Sequence, residues 1–118
     1  SGKLVFVEFH PVVWMFDDDF KHINYSYFNK GEIVETETGT YAQKNADITN
    51  DYVCWNHSMS EVVNSLIKNG LQISTLNEYD YSPYNCFNNT VEFVSGKFRI
   101  QSLEEKMPMV FAIKATKI

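Results

Sequence analysis

A chain of 118 residues, 44% hydrophobic and 21% charged, has the composition of one folded domain with a modest core, not that of a disordered tail. Its net charge of -5 argues against nucleic acid or an anionic membrane as partner, and no apolar run reaches membrane length. Two widely separated cysteines, Cys54 and Cys86, are too few for a disulfide framework and read as reduced thiols of a cytoplasmic protein.

Residues 4–9, LVFVEF, form a nearly continuous apolar run, the pattern of a strand covered on both faces. Glu8 lies near its end, and His10 and Pro11 follow. Proline has no N–H for a ladder, so the strand stops there. Residues 12–16 are apolar and aromatic without clear periodicity. Asp17, Asp18 and Asp19 read as a solvated turn, because the oxygen spacing of a calcium loop is absent. Residues 25–41 suggest a β-hairpin. Tyr25, Tyr27 and Phe28 lead into a Lys30-Gly31 turn, and an alternating run over 32–38 continues to about Tyr41. Residues 43–51 are polar and read as a loop, and 52–55 as a short strand leading to a helix. The whole of 16–54 is then a β-rich insertion, longer than a plain crossover and suited to a lid over a site or to an interface.

The strongest signals follow. Ser58 and Glu61 make an S-x-x-E capping box, in which each side chain can satisfy an orphan N–H of the first turn. Met59, Val62, Val63, Leu66 and Ile67 recur at helical spacing as one apolar stripe, and Gly70 stops the helix. Leu71 and Ile73 then alternate with polar neighbours, which is strand periodicity. Residues 79–89 are rich in turn formers and aromatics. Residues 91–94 and 97–100 flank Ser95-Gly96, the signature of a two-residue hairpin turn. The last strand is 107–114, MPMVFAIK, with 110–113 as its buried run.

Several chemistries lack their motifs. There is no H-E-x-x-H, no thiolate zinc spacing, no Walker loop and no G-x-S-x-G elbow. The five glycines are scattered, so none forms a phosphate-cradling loop. A nucleophile pair of Cys54 with a histidine stays open on sequence, and its competing role is that of a small buried apolar residue. Glu8 and His10 are the candidate catalytic residues, because open α/β sheets bind ligands beyond the carboxyl ends of their strands. Their competing role is a strand-end cap. Trp55 and His57, which flank the helix start, and Tyr41 of the insertion are the candidate substrate-binding residues. The competing role of Trp55 is to staple the helix to the core. The aromatic residues Tyr25, Tyr27, Phe28 and Tyr52 suit a lid or a protein interface.

Three stretches together resemble class I S-adenosylmethionine-dependent methyltransferases. Residues 3–11, KLVFVEFHP, are similar to the strand that follows that family's LKPGG turn. Residues 56–79, NHSMSEVVNSLIKNGLQISTLNEY, are similar to its late helix and following strand. Residues 108–114, PMVFAIK, are similar to its final strand, which inserts antiparallel into the sheet. The family's glycine-rich cofactor turn and its ribose-binding acid have no counterpart here. The resemblance therefore implies the C-terminal, substrate-side part of such an enzyme: an α/β sheet (α+β as an isolated piece) carrying a β-rich insertion. S-adenosylmethionine would be the cofactor of the full-length enzyme, with none expected for this piece alone, and the partner a small-molecule methyl acceptor.

The resemblance also implies a topology. The first strand should run parallel to the strand after the helix, with the final strand antiparallel between them. The first strand would then keep an unpaired edge, a template for pairing that implies a homodimer. The alternative is a non-catalytic α+β binding or dimerisation module.

Overall fold

The computed structural model describes residues 2–38, 45 and 47–118. Eight elements of the α+β fold carry the argument: β1 (Lys3–Phe9), β2 (Ile33–Thr38), β3 (Thr49–Cys54), α1 (Met59–Lys68), β4 (Leu71–Tyr79), β5 (Thr90–Val94), β6 (Lys97–Ile100) and β7 (Val110–Lys117). Two short 3-10 helices, Pro11–Met15 and Glu104–Lys106, sit in the connections.

The main sheet has the order β1–β7–β4. β7 is antiparallel to both neighbours, so β1 and β4 run parallel to each other. This is the arrangement expected from the resemblance. Every residue of β7 has a partner on both sides along most of its length, and its alternate residues Phe111, Ile113 and Ala115 are almost fully buried. They meet Leu4 and Phe6 of β1, Leu71 and Ile73 of β4, and Met59, Val62, Val63 and Leu66 of α1. The helix thus lays its apolar stripe on one face of the sheet, as its spacing predicts. Ser58 caps it by accepting the N–H of Glu61 at 3.2 Å. The reciprocal half of the capping box is not made: the Glu61 carboxylate pairs with His57 Nδ1 instead. Gly70 closes the helix at φ +79°, and a Cβ there would stand 2.8 Å from the Lys117 Nζ.

β4 contains a bulge that sequence periodicity did not disclose. The register with β7 shifts between Ile73 and Thr75, around Ser74. One extra residue reverses the inward parity. Leu71 and Ile73 therefore share a sheet face with Leu76 and Glu78, opposite Ile113 and Phe111, and not with Thr75 and Asn77.

β1 departs from expectation. A run apolar on both sides predicts burial on both sides, yet Val5 is 67% and Val7 60% exposed. The reason is that α1 covers only one face. On the other, Val5 and Val7 lie opposite Lys114 and Ala112 and remain open. A second core cluster closes the sheet end. Val13, Phe20, Ile100, Met107, Met109 and Val110 pack together there, with Phe9, Phe16 and Phe87 against them.

The insertion also differs from its expected pairing. β2 pairs antiparallel with β3, from Ile33 opposite Cys54 to Thr38 opposite Thr49. The hairpin partner of 32–38 is thus the stretch read as a polar loop and short strand, not Tyr25–Tyr27–Phe28. The polar run Thr49, Asn50 and Asp51 gives β3 a weak apolar pattern, and the backbone ladder is backed by cross-strand contacts such as Thr36 Oγ1 to Asp51 Oδ1 at 2.5 Å. Tyr27 instead anchors the insertion to the helix: its hydroxyl accepts the Met59 N–H at 2.9 Å. Asn56, buried, donates to the Ser26 carbonyl at 2.9 Å. The expected β5–β6 hairpin is present, with Gly96 at φ +78° in its turn.

Candidate functional site

Just past the carboxyl end of β1 the chain turns into the 3-10 helix Pro11–Met15, and a cleft of about 670 Å³ opens between that helix, the β2–β3 hairpin and residues 86–88. A volume of this size suits a small organic ligand. Its aromatic wall includes Trp14, Phe16, Trp55 and Phe87. Trp14 is braced by Phe9 and Phe87, with ring centroids 5.9 and 6.0 Å away.

Glu35 is the polar centre of this cleft. It sits on β2 directly opposite Tyr52 of β3, and strand alternation puts it on the same face as Ile33 and Glu37. Tyr52 donates its hydroxyl to Glu35 Oε2 at 2.7 Å, and Tyr25 donates to Glu35 Oε1. Each carboxylate oxygen thus takes one phenol. The bond to Glu35 is the main reason the Tyr25 pKa is pushed up from 10.0 to about 12. For Tyr52 burial acts first and the Glu35 bond second, and its pKa is also raised. Both phenols stay protonated donors at neutral pH.

The two cysteines line the same cleft. Burial, then the charge of Glu35, pushes the Cys54 thiol up, so it is held away from the thiolate form a nucleophile needs. No histidine is among the described residues that line the cleft. Asp17 serves its own turn: its carboxylate accepts the N–H of Lys21 at 2.8 Å and of His22 at 3.3 Å, and these bonds, the first above all, lower its pKa. The solvated turn read from the three aspartates is therefore what forms there.

The residues singled out from sequence divide between two places. Trp55 lines the cleft, 51% exposed, and is not buried as a staple. His57 does not line it; its ring is turned to Glu61, one helical turn on. Tyr41 lies outside the described residues. Glu8 and His10 stand at the end of β1, as expected, but line a different spot. Glu8 lies across from Phe111, whose other neighbour is Glu78, and accepts the N–H of Phe9 at 3.1 Å.

His10 is 6% exposed, with both ring nitrogens engaged. Nδ1 accepts the Val12 N–H at 3.2 Å and so caps the 3-10 helix. A nitrogen that accepts cannot carry the proton, so Nε2 does, and it donates to Glu78 at 2.6 Å. Both bonds give His10 a holding role: it ties the end of β1 to the end of β4 and aims the following turn at the cleft. Sequence reasoning placed Tyr25 and Tyr52 in a lid but missed Glu35, Trp14 and Phe87. The one signal for Glu35 was its parity on an alternating strand, which does not say what the strand faces.

No family model matches the chain, and no curated protein or solved structure matches it. Among the described residues no helix is long and apolar enough to cross a membrane, and no group of three or more metal-ligating side chains is assembled.

Proposed function

We propose that this chain is the acceptor-binding side of a class I S-adenosylmethionine-dependent methyltransferase, and that the cleft beyond β1 holds the methyl acceptor. The observation that carries the reading is the sheet order β1–β7–β4, two parallel strands with an antiparallel one between them. The three-part sequence resemblance implies this order, and chance pairing of three strands has several others to choose from. The position of the cleft adds support, since ligands of open α/β sheets lie outside the carboxyl ends of their strands.

The described residues do not fit the cofactor. Gly70 and Gly96 close separate turns and Gly31 lies in a bend before β2, so together they offer no shared backbone cradle for a nucleoside. In this reading the cradle belongs to residues outside these 118. The chain's own task is to seat and orient the acceptor, which is the larger part of what a displacement reaction asks of a protein. The test is to express the protein together with the coding sequence upstream of Lys3 and measure transfer of labelled methyl from S-adenosylmethionine to a panel of small acceptors. Transfer that falls when Trp55 is replaced by alanine supports the reading. An upstream frame without a strand and a glycine-rich turn, and no transfer, overturns it.

A second reading, a non-catalytic dimerisation module, is favoured by one observation: β1 is an edge strand whose Val5 and Val7 lie open to solvent. Light scattering tests the dimer, and methyl transfer by the extended protein separates the two readings. A homodimer that Val7→Lys dissociates supports the second reading, and a monomer at high concentration refutes it.

A further inference from the structure

We infer that the ligand of the cleft is an organic cation: an amine or guanidine joined to a flat apolar body. This rests on the reading of the cleft as a ligand site but not on methyl transfer itself. The first ground is the cleft's aromatic wall. Tryptophan normally contributes its large apolar surface to a core, yet Trp14 is 41% and Trp55 51% exposed, and both line this cleft. Exposed indole faces lining a concave site are the preferred partners of organic cations and of flat rings.

The second ground is the sign of the charge. Besides Asp17, which is occupied by its own turn, Asp18, Glu35 and Glu37 line the cleft, and no lysine, arginine or histidine does among the described residues. The charged side chains that line the cleft among the described residues are thus all acidic, which disfavours an anionic ligand. Glu35 is fixed by two phenols, and their protons stay on the tyrosines, so its negative charge is held in place without a cation from the protein. If the cleft also serves methyl transfer, the cationic nitrogen is the handle and not the acceptor atom, because an ammonium has no lone pair to attack with.

Both tryptophans of the protein line the cleft, so intrinsic fluorescence reports its occupancy directly. Three probes of matched shape separate the alternatives: phenethylamine, 2-phenylethanol and 3-phenylpropanoate, titrated into the 118-residue chain. The amine is expected to bind about tenfold more tightly than the alcohol, and the carboxylate most weakly. The exposed pair Asp18→Asn and Glu37→Gln, made together, should weaken the amine about tenfold and leave the alcohol unchanged. Equal affinities for amine and alcohol, tighter binding of the carboxylate, or equal weakening of amine and alcohol in the variant would each overturn the inference. Amine binding without methyl transfer by the longer protein keeps this inference and removes the methyltransferase. Methyl transfer to neutral acceptors without amine binding does the reverse.

Discussion

Replacing Glu35 by alanine is the perturbation that reads the cleft most clearly. The carboxylate holds two phenols, and Tyr25 is raised from 10.0 to about 12 chiefly by that bond. At about 1.4 kcal/mol per pKa unit the shift corresponds to roughly 3 kcal/mol before screening. Tyr25 is only half-buried in an open cleft, so water screens the pair and leaves about 1 kcal/mol. A similar contribution from Tyr52 brings the loss to about 2 kcal/mol, or a fall of roughly 8 °C in melting temperature for a domain of this size. The phenol pKa is raised in the folded state. Its stabilisation is therefore complete below the unfolded value near 10 and disappears as pH rises through about 12. Wild type and variant should differ at pH 7 and converge above that window. Tyrosine ¹³Cζ titration by NMR follows Tyr25 directly, and its midpoint should drop toward 10 in the variant. An unchanged midpoint, together with an unchanged melting temperature at pH 7, would refute the claim that Glu35 organises the phenols.

Other outcomes follow from single contacts. His10→Ala leaves the Val12 N–H and the Glu78 carboxylate without their partner, and should lower unfolding free energy by about 1–3 kcal/mol in urea melts; no loss would remove its holding role. Ser58→Ala removes the acceptor of the Glu61 N–H and should cost about 1 kcal/mol by thermal melting. Ile113→Ala, at the fully buried centre of β7, should cost about 2–5 kcal/mol in urea melts, a large share of the stability of an ordinary domain. Val5→Thr, on the open face, should change monomer stability by less than about 0.5 kcal/mol in the same urea melts.

Local rules made the helix and the main sheet legible. A cap at Ser58, a stripe from Met59 to Leu66 and a glycine at 70 are decided within a few residues, and the structure keeps all three. The sheet order was legible only through family resemblance, because periodicity alone says nothing about neighbours. Three features escaped, each for a physical reason. The apolar run of β1 could not reveal that one face lacks a cover, because the cover is a tertiary matter. The bulge at Ser74 is invisible where both parities carry polar residues. The partner of β2 was misjudged because β3 is held by backbone pairing and polar cross-strand contacts rather than by an apolar face. The cleft followed from that misjudgement: Glu35 becomes a site residue only once Tyr52 stands opposite and Tyr25 folds back, and these contacts span 17 and 10 residues.

The most direct measurement is a crystal structure of the protein extended through its upstream coding sequence, bound to S-adenosylhomocysteine. A further strand should pair parallel with the outer edge of β1, and the sulfur of the ligand should point into the space between Trp14, Glu35 and Trp55. A sulfur directed away from that space, or a β1 edge left uncovered by the added segment, would contradict the account.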